Sequence, residues 1–248
     1  MKIEKYHGCG NDFLIVEGNG KNGEEWAKKL CDRHLSFGAD GLIFVHRRNI
    51  RFFNPDGSES SLCGNGLRCA SLYLYRKGEM TERTVLKTDS GKYRIRRLSE
   101  DPFSVSVLFP LKGVPAIEDV VLKDRKFSLV DLGNRHAVCI VREFPDVQEA
   151  EDIASLPPLN SEYNLNFVKI VKPDVVKIRT FERGVGFTLS CGSGSVASAL
   201  VLYRKGLCGK RILIDVPYGS LSVLIDAGIY LQGSAEFVYE SEVDEDGL

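Results

Sequence analysis

The sequence has no stretch of the roughly 18–20 consecutive apolar residues that a membrane-spanning helix needs. Nor has it a dominant charge: 33 basic residues stand against 34 acidic ones, for a formal net charge of −1. With no polybasic run either, a nucleic acid or a membrane surface has no electrostatic footprint to meet, and neither is expected as a partner. There is no Cys-x2-Cys pair and the four histidines are dispersed. Cys63, Cys69 and Cys191 are the nearest approach to a ligand set and lack zinc-site spacing, so no metal is expected. Seven cysteines is an odd number whose scatter matches no disulfide framework, and free thiols in a reducing cytoplasm are the expectation. The first residues, Met1-Lys2-Ile3-Glu4-Lys5-Tyr6-His7, lack the apolar core of a secretion signal.

What remains is an ordinary globular composition, 43% hydrophobic and 27% charged, over a length of 248 residues that suits one large or two small domains. Within it one pattern occurs twice. Leu62-Cys63-Gly64-Asn65-Gly66 and Leu189-Ser190-Cys191-Gly192-Ser193-Gly194 each place a cysteine before two alternating glycines and a small or apolar run. Both runs end in Tyr-Arg-Lys-Gly. Cys191 stands 128 positions after Cys63, as Gly206 does after Gly78, and Ile50-Arg51-Phe52-Phe53 meets Ile178-Arg179-Thr180-Phe181 at the same offset. The chain therefore carries an internal duplication.

Each half reads as strands around one helix. Strands are predicted at Ile3–Tyr6, Phe13–Val16, Gly41–His46, Ile50–Phe53, Thr84–Thr88, Lys92–Arg97 and Ser104–Phe109, and a helix over Glu24–His34. In the second half they are predicted at Phe127–Asp131, Ala137–Val141, Leu165–Val171, Val175–Phe181, Arg211–Val216, Ser220–Ile225 and Ile229–Tyr239, with the acidic tail Glu240–Leu248 frayed. The breakers of Pro110–Asp119 set the expected boundary, giving one domain over 1–112 and another over 113–248, the last strand or tail packing on the first half. The expected class is α+β, with two pseudo-symmetric domains, each a strand-rich sheet wrapped around a central helix headed by a cysteine.

A helix N-terminus presents unpaired backbone N–H groups and about half a positive charge. Alternate glycines open those donors to an anion, and a cysteine placed there is favoured as thiolate. One such site suits a nucleophile; two related by pseudosymmetry suit an acid and a base that invert one carbon centre. Other readings of the cysteines stand beside this one: buried structural thiols, a redox pair, or a pocket that only binds a small molecule.

At these residues the sequence resembles the diaminopimelate epimerase family. The resemblance runs through His7-Gly8-x-Gly10-Asn11-Asp12-Phe13, Gly38-Ala39-Asp40-Gly41, Phe53-Asn54-x-Asp56-Gly57-Ser58-Glu59 and Cys63-Gly64-Asn65-Gly66-x-Arg68-Cys69. It continues with Gly133-Asn134-x-His136, Asn164-x-Asn166-Phe167, Glu182-Arg183-Gly184-Val185-Gly186 and Cys191-Gly192-x-Gly194. It implies an isomerase that interconverts LL- and meso-diaminopimelate in lysine and peptidoglycan-precursor synthesis. It also implies independence of pyridoxal phosphate and of any other cofactor, a cytoplasmic location and a homodimer. By the same resemblance Cys63 and Cys191 are the catalytic pair, and Gly64, Asn65, Gly192 and Ser193 hold the reacting carboxylate. Asn54, Asn134, Asn166 and Arg183 grip the distal end; Asn11, Glu182 and, in a supporting role, His136 lie near the reacting centre. Two positions depart from the family's usual pattern, Arg135 for Pro and Ser193 for Thr. A proline or hydroxyproline racemase on the same fold, and a non-catalytic amino-acid binder, are the alternatives. The Glu182-Arg183-Gly184-Val185-Gly186 segment favours diaminopimelate over the first, and the retained pair of cysteines speaks against the second.

Overall fold

The structure, a computed structural model, describes residues 1–60, 63–111, 113 and 115–244. Leu62, Ser61, Lys112, Val114 and the end of the expected tail, 245–248, lie outside the described residues. Two compact units form: Met1–Leu108 together with Gly233–Leu248, and Phe109–Gln232.

In chain order the first unit holds β1 (Lys2–Gly8), β2 (Asn11–Glu17), α1 (Gly23–Leu30), β3 (Gly41–His46), β4 (Asn49–Phe53) and β5 (Glu59–Ser60). Then come α2 (Gly64–Arg76), β6 (Arg83–Thr88), β7 (Gly91–Glu100) and β8 (Phe103–Phe109). The second unit repeats the order: β9 (Ile117–Leu122), β10 (Arg125–Asp131), β11 (Arg135–Ile140), α3 (Val147–Ser155), β12 (Asn164–Lys172), β13 (Val175–Glu182) and β14 (Gly186–Thr188). It continues with α4 (Gly192–Arg204), β15 (Arg211–Val216), β16 (Gly219–Ile225) and β17 (Ile229–Ser234), after which β18 (Glu236–Glu242) rejoins the first unit.

The duplication is visible in the pairing. β1 pairs antiparallel with β2, β2 parallel with β3, β3 antiparallel with β4, and β4 parallel with β6. β10 pairs in the same way with β11, β11 with β12, β12 with β13, and β13 with β15. β18 lies against β1 as β9 lies against β10. The last strand of the chain thus fills in the first unit the place that β9 fills in the second.

Strand alternation explains how one sheet serves two layers. Phe13, Ile15, Ile43 and Val45 point into the core around α2 with Leu67, Ala70 and Leu74. Their neighbours Leu14, Val16, Leu42 and Phe44 point the other way, onto Ala27 and Leu30 of α1. In the second unit α3 covers its sheet through Ala150 and Ile153, against Leu129, Ala137, Leu165 and Phe167. Both cysteine-headed helices are 13 residues long and end alike. Gly78 takes φ +74 and Gly206 φ +70. Gly78 N donates to Tyr75 O and Glu79 N to Leu74 O, as Gly206 N does to Tyr203 O and Leu207 N to Leu202 O. The repeated Tyr-Arg-Lys-Gly is therefore a Schellman stop written twice.

Several expectations are corrected. The helix expected over Glu24–His34 ends at Leu30, because the Asp32 carboxylate captures the N–H groups of His34 and Leu35 at 2.7 and 2.8 Å and turns the chain. The strand expected over Ile229–Tyr239 is two strands broken at Ala235, just after the chain passes to the first unit at Gly233. Glu240–Glu242 belong to β18 and pair with Lys2–Glu4 rather than fraying. The compact units part at Leu108/Phe109. Among the described residues no helix is long and apolar enough to cross a membrane.

Candidate active site

Cys63 and Cys191 each occupy the N-cap of their helix, with extended backbone angles of φ −136°, ψ 107° and φ −120°, ψ 110°. N-caps are normally Ser, Thr, Asp or Asn, whose oxygen accepts an amide N–H of the first turn. Here sulfur takes that part: Gly66 N donates to Cys63 Sγ at 3.2 Å and Gly194 N to Cys191 Sγ at 3.4 Å. Two observations make these glycines necessary. A Cβ on Gly66 would lie 2.6 Å from Phe52 Cε1, and one on Gly194 2.2 Å from Asn166 Oδ1. The sulfurs take one first-turn N–H each, and Gly64, Gly192 and Ser193 lie in the same first turns, whose N–H groups a helix end offers to an anion.

The first unit surrounds Cys63 with amides. Asn65, on the first turn of α2, is buried and donates to Asn11 Oδ1 at 2.9 Å; Asn11 in turn donates to Asp40 Oδ2 at 2.7 Å. Cys63 itself is half-buried. Asn54 lies elsewhere: its side chain donates to Ser58 Oγ at 2.9 Å within its own exposed turn.

The second unit gives Cys191 a drier setting. It is 8% exposed, with Ser193 Oγ 3.5 Å from its sulfur. Burial pushes the Cys191 thiol well up, and the nearby Glu182 carboxylate adds to this, while Ser193 and the Gly194 N–H act in the opposite sense. Glu182 is fixed by Thr188, whose Oγ1 donates to its Oε1 at 2.6 Å. Asn134 donates to Ser193 Oγ at 3.1 Å. Behind them Asn166 and His136 are fully buried. Asn166 donates to His136 Nδ1 at 3.1 Å and to Asn164 O at 3.2 Å, and accepts from Thr180 Oγ1 at 3.1 Å. Its amide is thus spent on holding β11, β12 and β13 together. Because Nδ1 accepts, the neutral ring carries its proton on Nε2, which has no partner among the described residues. Burial lowers the His136 pKa to about 4, so the ring is neutral at physiological pH. Arg183 is exposed; its backbone N donates to Asn164 Oδ1 at 3.0 Å, and its guanidinium has no partner among the described residues.

The sequence residues therefore gather as Cys63, Gly64, Asn65 and Asn11 in one unit and Cys191, Gly192, Ser193, Asn134 and Glu182 in the other, with Asn166 and His136 behind the latter. The departures noted in the sequence are accommodated. Ser193 keeps its hydroxyl in the network, and Arg135 turns to Glu162, its guanidinium 5.8 Å from the centre of the Tyr163 ring. Three residues given no role by the sequence reading complete the setting: Asp40, Thr180 and Arg68. Arg68 stood in the sequence only as part of the motif that follows Cys63, with no role attached, and in the structure a Cβ on Gly8 would lie 2.7 Å from its Nη2. A cavity of about 300 Å³ in the first unit, lined by Lys2, Glu4, Trp26 and Tyr73 among others, is not lined by either cysteine.

The diaminopimelate epimerase family profile matches residues 3–107 and 128–238. The chain is 31% identical to the diaminopimelate epimerase of Methanocaldococcus jannaschii, with 98% of each chain covered. It is 36% identical to that of Caldanaerobacter subterraneus subsp. tengcongensis, with 98% of this chain and all of that one covered. Its fold is similar to the crystal structure of a Bacillus anthracis phenazine biosynthesis protein of the PhzF family, with a TM-score of 0.74 at 16% identity and 98% of each chain covered.

Proposed function

This chain belongs to the diaminopimelate epimerase family, and on that premise we propose that its two cysteine-capped helices perform a two-base epimerisation without a cofactor. The chain is an isomerase that converts LL-2,6-diaminopimelate into the meso form. One cysteine, as thiolate, takes the α-proton and becomes a thiol. The C–H electron pair passes into the α-carboxylate as a carbanionic enediolate. The other cysteine, as thiol, then delivers its proton to the opposite face of the carbon and is left as thiolate. The carboxylate gains charge along this path, and the first-turn amides of Gly64, Asn65, Gly192 and Ser193 stabilise it. The observation that carries the reading is the sulfur at each N-cap accepting an amide N–H, a bond that strengthens as sulfur becomes anionic.

Asn134, through its unspent carbonyl oxygen, and the unpaired Arg183 suit the ammonium and carboxylate of the distal end. Asn54 joins them if its turn delivers its carbonyl oxygen, and Asn166 acts by holding its neighbours. The same reading makes the enzyme a cytoplasmic homodimer independent of pyridoxal phosphate. The test is incubation of the reduced protein with LL-diaminopimelate in D2O, with chelator and no pyridoxal phosphate. The expected product is meso-diaminopimelate with one deuterium at the inverted α-carbon. Folded, reduced protein that exchanges only proline or hydroxyproline, or nothing, rejects the substrate.

A further inference from the structure

Arg68 is the largest fully buried side chain among the described residues. Its three partners are uncharged acceptors. Nε donates to Ser234 O at 2.9 Å, Nη1 to Asn65 Oδ1 at 2.9 Å and Nη2 to Cys9 Sγ at 3.8 Å. Burying a guanidinium without a carboxylate is costly, and a helix face can be packed without one. The duplication supplies the comparison, because the position of α4 that corresponds to Arg68 is Val196, which is fully buried and apolar. The first unit even makes room for the cation, with Gly8 lying where any side chain would strike Nη2.

What Arg68 begins is a directed chain of hydrogen bonds. Its N–H groups meet the Asn65 carbonyl oxygen; the Asn65 NH2 meets the Asn11 carbonyl oxygen at 2.9 Å; the Asn11 NH2 meets the Asp40 carboxylate at 2.7 Å. A guanidinium only donates and a carboxylate only accepts, so the two amides between them have a single orientation. Each bond polarises the next in the same sense. Asp40 is itself held by Arg33 Nη2 at 2.7 Å. In the second unit the corresponding bond runs the other way, from Asn134 of the hairpin to Ser193 of the helix, at 3.1 Å. The two halves thus differ in which end of the hairpin amide meets the helix, its carbonyl oxygen in the first and its NH2 in the second, and Arg68 is the residue that sets the sense in the first.

We propose that Arg68 is a positioning residue for the epimerisation, acting through Asn65 and Asn11 to fix the direction in which both amides beside Cys63 meet the substrate. The inference rests on the function proposed above. Asp40 lies at the exposed far end of the chain of bonds and offers a second handle.

The experiment uses the full chain as wild type, Arg68→Met, Arg68→Lys, Asp40→Ala and the Arg68→Lys/Asp40→Ala double variant. For each, kcat and KM are measured on LL-diaminopimelate beside the urea midpoint. Loss of a charge-assisted bond in the chain predicts a fall in kcat/KM of about tenfold for Arg68→Lys and for Asp40→Ala, and about a hundredfold for Arg68→Met. The double variant is expected near the weaker single rather than at the product of the two. Lysine, which keeps a donor, recovers activity relative to methionine. A merely structural Arg68 shifts the midpoint and leaves the Asp40→Ala effect on kcat/KM unchanged in its presence or absence. Multiplicative effects, or either single within twofold of wild type, overturn the inference. If Arg68→Met gives no folded protein, the lysine and alanine cycle decides alone. Wild type inactive on diaminopimelate rejects the proposed function, whereas active wild type with multiplicative variants rejects only the role of Arg68.

Discussion

Acidification should destabilise this protein through His136, starting at pH values above those at which its carboxylates begin to be protonated. The ring is 0% exposed, and burial lowers its pKa from the ordinary 6.5 to about 4. Between those values the unfolded chain binds a proton that the folded one does not, so stability is complete above the unfolded value and falls as pH drops toward 4. At 1.36 kcal/mol per unit, the loss is about 2 kcal/mol by pH 5 and about 3 kcal/mol once pH 4 is reached. Asp12, held down to about 2 by its bonds to Arg33 and Lys5 against the opposing effect of burial, loses its contribution only below the ordinary carboxyl value near 4. Urea unfolding of wild type and His136→Gln at pH 7.5 and pH 5 isolates the effect. Wild type should lose about 2 kcal/mol more than the variant across that interval. Equal losses, or a His136 ring proton that titrates near 6.5 by NMR, would refute the reasoning.

Three further outcomes follow from individual contacts. Gly194→Ala places a methyl 2.2 Å from the buried Asn166 Oδ1 and 3.1 Å from Thr180 Oγ1, so it should destabilise the chain by about 1–3 kcal/mol and depress kcat/KM; the check is a urea midpoint beside the epimerase rate. Arg135→Ala removes only an exposed pair with Glu162 and a contact with the Tyr163 ring, so kcat/KM should stay within about fivefold of wild type in a steady-state assay. Asp146→Ala removes the cap whose carboxylate accepts from Glu149 N at 2.8 Å. It should cost about 1 kcal/mol by denaturant titration and leave activity unchanged.

The duplication was legible because its signals are local. Cys-Gly-x-Gly at a helix start and Tyr-Arg-Lys-Gly at its end are caps, set by backbone conformation within a few residues, and they survive in both copies. The buried run Phe13–Val16 was legible as a strand, but only the structure shows that its alternate residues feed two cores. Helix α3 is faint in the sequence although Asp146-x-x-Glu149 is a capping signal, because its apolar face is short, with Ala150, Ile153 and Ala154 as its buried residues. Strand β9 begins within the breaker-rich stretch Pro110–Asp119, which hides it, and the break at Ala235 follows a change of unit at Gly233 that no local pattern encodes. The site divides in the same way. The capping sulfurs and the glycines that admit them followed from spacing. The inward turn of Asn166 and the burial of Arg68 depend on partners far off in sequence, such as Thr180, His136 and Ser234.

The central claim is that Cys63 and Cys191 are jointly required, one to take the proton and the other to return it. Its most direct test replaces each in turn by alanine and measures the conversion of LL- to meso-diaminopimelate and of meso back to LL by reduced, folded protein. Both variants should lose interconversion by about a hundredfold to ten-thousandfold in both directions, as the removal of a general acid or base does. A variant at either position that keeps its rate within tenfold of wild type would contradict the two-base account.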